Sequence, residues 1–234
     1  MIKTVLFDLD GTLLPMDQDD FVNAYFKYLA EKLLPYGYEP KKLMGSIWKG
    51  TEAMVNNDGS CSNEEAFWKL FATIYGERVR EDEPLFDAFY RNEFGNVAKI
   101  CGFQPMAAKV VKELKEKGYR VILATNPIFP QVATWSRIRW AGLSPEDFEW
   151  ITTYENSSYC KPNPAYYFEI MRKLDTDPGE CLMVGNDVTE DMAAETIGMK
   201  VFLLTDCLIN KEGKDLELYP HGGFPELAKL IGGM

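Results

Sequence analysis

Five short apolar runs, at residues 2–7, 119–124, 148–153, 180–184 and 200–204, constrain this chain more than any other feature of its sequence. Longer amphipathic stretches separate the later runs, and strand patterns alternating with helical ones predict a parallel sheet covered by helices. Residues 129–141 read as helical, and residues 163–174 form another helical pattern with Pro164 at its first position, where the missing N–H costs nothing. Ala107, Val110, Val111 and Leu114 follow helical spacing ahead of the second run, and Gly118 ends that pattern as a helix C-cap would. The segment from Met16 to Gly95 breaks the rhythm. It carries helical spacings such as Phe21, Tyr25, Phe26, Leu29, Leu33 and then Phe67, Leu70, Phe71, Ile74, with no strand pattern. The expected class is therefore an α/β core split after its first strand by a helical insertion of roughly 80 residues. The aromatic stripes of the insertion are expected to pack as core rather than to line a pocket.

Composition narrows the chemistry. A chain of 234 residues holds one α/β domain with an insertion, or two small domains. A net charge of −11 disfavours nucleic acid as a partner, because backbone binding needs clustered Lys and Arg. No stretch approaches the roughly 18 consecutive apolar residues of a membrane span. Met1 leads almost directly into the first run without the basic, apolar and small-residue order of a secretory leader, which makes the cytoplasm the default compartment. Cys61, Cys101, Cys160, Cys181 and Cys207 are odd in number and scattered, suggesting neither a disulfide framework nor a zinc site. The one histidine, His221, makes a Ser-His triad improbable and leaves carboxylates as the natural acid–base groups.

Asp8-Leu9-Asp10-Gly11-Thr12 directly follows the apolar run Val5-Leu6-Phe7. Side chains two apart on an extended strand project to the same side, so Asp8 and Asp10 face one small space where Gly11 lets the chain turn. Two crowded carboxylates need a proton or a cation between them, and magnesium takes one or two carboxylates plus waters and phosphate oxygens. The competing reading is an Asp-Gly turn closing a surface hairpin.

Three further signals fall at strand ends or adjoining loops. Thr125 and Asn126 follow the second run and suit phosphate oxygens, although Thr-Asn-Pro is also a common exit from a strand. Lys161, in Cys160-Lys161-Pro162-Asn163-Pro164, sits on a restricted backbone and can neutralise both a carboxylate and a phosphate, although most lysines are simply solvated. Leu182-Met183-Val184-Gly185-Asn186-Asp187 runs into an acid with Asp191 about one helical turn on, where Asp187 either completes a magnesium shell or caps a helix. Ligands of open α/β sheets bind at these carboxyl ends.

Together these four segments resemble the motifs of the haloacid dehalogenase superfamily, in order and across essentially the whole chain. The resemblance implies a Rossmann-like parallel sheet with helices on both faces, formed by residues 1–15 and 96–234, plus an all-helical cap domain at residues 16–95. It implies a phosphoric monoester hydrolase in which Asp8 forms an aspartyl-phosphate while Asp10 protonates the leaving oxygen and then activates water. It further implies that Thr125 and Lys161 act in catalysis, that these two and Asn126 bind substrate, and that Mg2+ is held by Asp8, the Asp10 main-chain carbonyl and Asp187, with Asp191 a further ligand or a partner of one. The family often has Gly-Asp where this chain has Gly185-Asn186-Asp187, so either Asn186 or Asp187 takes the position nearest the metal.

The expected activity is magnesium-dependent hydrolysis of a small phosphorylated metabolite, the cap closing to exclude water. The alternatives are a phosphomutase of a sugar phosphate and a non-catalytic protein that binds a phosphorylated ligand. Gly45 to Thr51 has the glycine spacing of a phosphate-binding loop without its lysine or a preceding strand, and is read as coincidence. Lys41, Lys42 and Lys49 are expected on a solvated helix face rather than on an anionic substrate.

Overall fold

The structure, a computed structural model, describes residues 1–234. Six strands form one parallel sheet: β1 (Thr4–Phe7), β2 (Arg120–Leu123), β3 (Trp150–Ile151), β4 (Cys181–Gly185), β5 (Lys200–Leu204) and β6 (His221–Gly222), in the order β3-β2-β1-β4-β5-β6. Eight helices accompany them: α1 (Gln18–Leu33), α2 (Pro40–Val55), α3 (Asn63–Tyr75), α4 (Glu83–Arg91), α5 (Pro105–Glu116), α6 (Gln131–Trp140), α7 (Pro164–Leu174) and α8 (Phe224–Gly232). Between β1 and β2 the chain is helical, with no strand. No helix is long and apolar enough to cross a membrane.

Every residue of β1 and β4 is buried, as central strands of a doubly covered sheet must be. Alternation divides their side chains between two cores. Val5, Phe7, Val121, Leu123, Leu182 and Val184 face the larger one, and Leu6, Ile122, Met183, Val201 and Leu203 the smaller one. The larger cluster also contains Phe21, Tyr25, Leu29, Phe67 and Phe71, so the insertion shares a continuous apolar core with one face of the sheet.

Local chemistry starts the helices. Asp17 caps α1 by accepting from the N–H groups of Asp19 and Asp20, and Phe21, Tyr25, Leu29 and Leu33 are its buried stripe. Ser62 and Glu65 form a capping box on α3. Pro164 occupies the first turn of α7 behind the Asn163 cap, and Gly118 follows α5 with φ +83°.

Two elements lack an apolar run. The edge strand β6 is only His221 and Gly222, and α8 buries Phe224, Leu227 and Ile231 in nine residues. The run at 148–153 contracts to the edge strand β3, though ladder bonds continue on either side, from Glu149 N to Val121 O at 2.8 Å and Thr152 N to Leu123 O at 3.1 Å. Gly45 to Thr51 lies within α2, where helical geometry rules out a phosphate-binding loop.

Candidate active site

The central strands bring three of the four motifs to one level. Phe7 is in register with Leu123 on one side and Val184 on the other, and Asp8 N donates to Val184 O at 2.9 Å. Asp8, Thr125 and Asn186 therefore emerge at the carboxyl ends of three adjacent strands, where the strand order reverses. This excludes the hairpin reading of the pentad, since both partners of β1 run parallel to it.

After Asp8 the chain folds back tightly. Leu14 N donates to Leu9 O at 2.9 Å and Gly11 N to Leu14 O at 2.8 Å. Gly11 has φ +84°, and a side chain there would run into the Asn186 amide. The turn carries Thr12 back towards its start. Its hydroxyl lies 2.9 Å from Asn186 Oδ1 and 3.2 Å from Asp8 Oδ2, while Asn186 Nδ2 donates to Cys207 O at 2.7 Å.

Lys161 is wholly buried between two carboxylates. Its Nζ donates to Asp8 Oδ1 at 2.8 Å and to Asp191 Oδ1 at 2.6 Å. Burial alone would lower its pKa, but Asp191 and Asp8 raise it well above the usual lysine value, so it stays charged. Burial pushes the Asp191 carboxyl up while Lys161 opposes the shift. With Lys161 held charged and 2.6 Å away, we assign the pair to its ionic form.

Asn126 links the second motif to the third and the fourth. Its Oδ1 accepts from Lys161 N at 3.2 Å and its Nδ2 donates to Glu190 Oε2 at 3.1 Å. Thr125 is pinned through its main chain, its carbonyl accepting from Thr152 Oγ1 at 2.6 Å and Tyr166 Oη at 2.9 Å. Its own hydroxyl makes no protein hydrogen bond, and the residue lines the cavity.

Asp10 stands apart from Lys161. Its Oδ2 is ion-paired with Arg137 of α6, whose guanidinium is buried and lies 4.4 Å from the centre of the Phe129 ring. Its Oδ1 is buried without a partner. The side chain is 22% exposed, but towards the internal cavity it lines. Burial raises its pKa to about 6; Arg137 lowers it and Asp8 adds to the rise. A carboxyl titrating there can both give and take a proton near neutral pH.

The expected magnesium ligands are the Asp8 and Asp187 carboxylates and the Asp10 main-chain carbonyl, with Asp191 beside them, and no group of three or more His, Cys, Asp or Glu side chains is arranged to hold a metal ion. Asp191, expected as a further ligand or a partner of one, accepts at both oxygens, at Oδ1 from Lys161 and at Oδ2 from Asp187 N at 3.0 Å. Asp10 points its carboxylate at Arg137, which leaves its main-chain carbonyl as the group expected at the metal. Asp187 does cap the following turn, its Oδ1 accepting from Thr189 N at 2.7 Å and Glu190 N at 2.9 Å, yet its Oδ2 has no protein partner. Asn186 has its amide oxygen and nitrogen engaged by Thr12 and Cys207. Magnesium asks for only one or two carboxylates besides waters and phosphate oxygens. Asp8 and Asp187 supply two at the ends of adjacent strands, both on the cavity wall, and the donor set fits that ion.

A cavity of about 370 Å3 extends from these groups into the helical insertion. Phe21, Tyr25 and Phe67 line it while also belonging to the buried core, so the aromatic stripes are not core alone. Lys41, Lys42 and Lys49 stay off its wall, and Lys42 Nζ sits 4.4 Å from the centre of the Tyr75 ring.

A sequence model of the haloacid dehalogenase-like hydrolases matches residues 2–198. The chain belongs to this family. Glyceraldehyde 3-phosphate phosphatase of Methanothermobacter thermautotrophicus is 27% identical over 220 residues, covering 93% of this chain and 92% of that protein. A haloacid dehalogenase-type (HAD) phosphatase from Thermococcus onnurineus shares the fold with a TM-score of 0.61 at 19% identity, over 99% of both chains. The 2-haloacid dehalogenase from Pseudomonas syringae pv. Tomato DC3000 gives 0.64 at 19% identity, over 100% of this chain and 99% of that one. A phosphatase and a dehalogenase fit the fold about equally, so within this hydrolase family the reaction must be read from the site.

Sequence reasoning assigns no role to three site residues. Arg137 lies mid-helix among residues of helical pattern, and its pairing with Asp10 spans 127 positions. Thr12 stands in the opening motif, but its hydrogen bond to Asn186 depends on the β1–β4 pairing. Glu190 reads as a solvated acid, yet burial raises its pKa to about 7, with Lys161 lowering it and Asp191 adding to the rise.

Proposed function

We propose that this protein is a magnesium-dependent phosphatase that hydrolyses a small phosphorylated metabolite through an aspartyl-phosphate on Asp8. One observation carries the reading: the Asp8 carboxylate, steered by Lys161 at 2.8 Å, shares a cavity wall with Asp10, whose buried Oδ1 has no partner, and with the unengaged Thr125 hydroxyl. A nucleophile, an acid–base group and phosphate donors thus meet where the sheet leaves a ligand space.

In this reading an Asp8 oxygen attacks phosphorus as the bond to the leaving oxygen breaks, and Asp10 delivers its proton to that oxygen. Asp10 then takes a proton from water as the water oxygen attacks phosphorus, releasing phosphate and restoring Asp8. Lys161 and the Thr125 hydroxyl hold the phosphoryl oxygens, and Asn126 keeps the Lys161 main chain in place. Magnesium, held by Asp8, the Asp10 carbonyl and Asp187, would supply positive charge against the phosphoryl oxygens.

A panel of phosphate esters assayed with the wild type, with chelator and with Asp8→Asn tests this. Phosphate release that needs both Asp8 and the metal is expected. Undiminished turnover by Asp8→Asn would exclude the mechanism, and isomerisation of a sugar phosphate without phosphate release would make the enzyme a mutase.

A further inference from the structure

The cavity walls differ sharply between their two ends. At the sheet end stand Asp8, Asp10, Asp187, Glu190 and Asp191. Towards the helical insertion no charged side chain lines the cavity, and fifteen of its 27 lining residues are hydrophobic. Lys211 is the one cation on the wall. A second phosphate or carboxylate placed deep in the insertion would meet no counter-charge, and burying an unpaired charge is costly.

The apolar end is roomy. At about 370 Å3 the cavity falls within the range of roughly 300–1,000 Å3 typical of organic ligands. Trp48 of α2 is 50% exposed, with its ring centre 5.7 Å from that of Phe26, and both line the cavity. A large indole left half-uncovered beside an active site is apolar area that a substrate can cover. At the same end the hydroxyls of Tyr25 and Tyr90 hydrogen-bond each other at 2.9 Å, and burial raises both phenols above the usual value, so they contribute no charge.

We infer that the substrate is a phosphate monoester of an uncharged, largely apolar alcohol bearing a group of aromatic size, seated between Trp48 and the aromatic wall of the insertion. This rests on the phosphatase reading above and narrows it. Diphosphates, and esters whose alcohol carries a second anion, are poor substrates on this account. Small polar esters leave the apolar end unfilled.

The test compares 2-phenylethyl phosphate with ethyl phosphate, two alkyl esters of similar leaving-group acidity, and with pyrophosphate, using the magnesium-loaded full chain. Filling the apolar end predicts a kcat/KM about 10- to 100-fold higher for the phenylethyl ester than for the ethyl ester. Trp48→Ala should collapse that ratio mainly through KM, while a melting curve reports whether the variant is folded. Equal or higher kcat/KM for ethyl phosphate or pyrophosphate would overturn the substrate class and leave the phosphatase standing. Absence of turnover with any ester would remove the phosphatase instead. The class is then still decided by binding: 2-phenylethylphosphonate should bind at least about 10-fold tighter than ethylphosphonate, and equal affinities would overturn it.

Discussion

Arg137 and Asp10 form a buried ion pair that ties α6 to the turn after β1 across 127 positions of chain. Each is the other's only charged partner, and Arg137 Nε and Asp10 Oδ1 are both left without hydrogen bonds. Removing one member of such a pair strands the other charge. Arg137→Met should therefore destabilise the protein by about 3–5 kcal/mol in urea unfolding. The double variant Arg137→Met, Asp10→Asn should recover much of that loss. Additive losses from the two substitutions would show that the pair is not coupled.

Catalytic substitutions separate the two acids of the opening motif. On the proposed mechanism Asp8→Asn removes the nucleophile and should lower kcat by about 10⁴-fold or more. Asp10→Asn retains the nucleophile but loses proton transfer, with an expected loss of about 10²- to 10⁴-fold. Steady-state phosphate release checks both values. Trapped aspartyl-phosphate should appear with Asp10→Asn and not with Asp8→Asn.

Glu190 sets a pH dependence of stability. Burial raises its folded pKa from 4.5 to about 7, so the folded state binds the proton more tightly than the unfolded chain. The stability tied to that proton is complete below about pH 4.5 and is lost as pH rises through about 7. Glu190→Gln does not titrate. In chelator-treated protein, the melting temperature of this variant relative to wild type should be higher at pH 8 than at pH 5.5. A difference that does not change with pH would show that Glu190 is ionised throughout.

Metal removal should stop turnover without unfolding the chain. The single charge of Lys161 lies between Asp8 and Asp191 and limits their mutual repulsion without a metal. EDTA should abolish phosphate release while far-UV circular dichroism stays unchanged, and magnesium should restore activity. Asp187→Asn should raise the magnesium concentration needed for half-activity by about 10- to 100-fold.

Much of the sheet is legible in the chain because strand and helix periods are local properties. The runs at 2–7, 119–124, 180–184 and 200–204 each coincide with an observed strand to within a residue or two, and Asp17, Ser62 and Pro164 start helices by chemistry confined to one turn. The two-residue strands β3 and β6 are set by pairing at the sheet edges, which a short polar sequence such as His221-Gly222 does not announce. The candidate acids are legible for the same local reason, since Asp8 and Asp10 lie two apart at the end of an apolar run. The partners they choose are not.

By itself the sequence determined which strands form and which acids leave their carboxyl ends, because a period of two or 3.6 residues is carried by neighbours in the chain. The tertiary structure alone decided that Lys161 joins Asp8 to Asp191, that Arg137 takes Asp10, that Asn186 is held by Thr12 and Cys207, and that aromatic rings from the insertion line the uncharged end of the cavity above them. Those contacts join residues brought together only by packing, and close packing of distant side chains leaves no periodic trace in the order of residues.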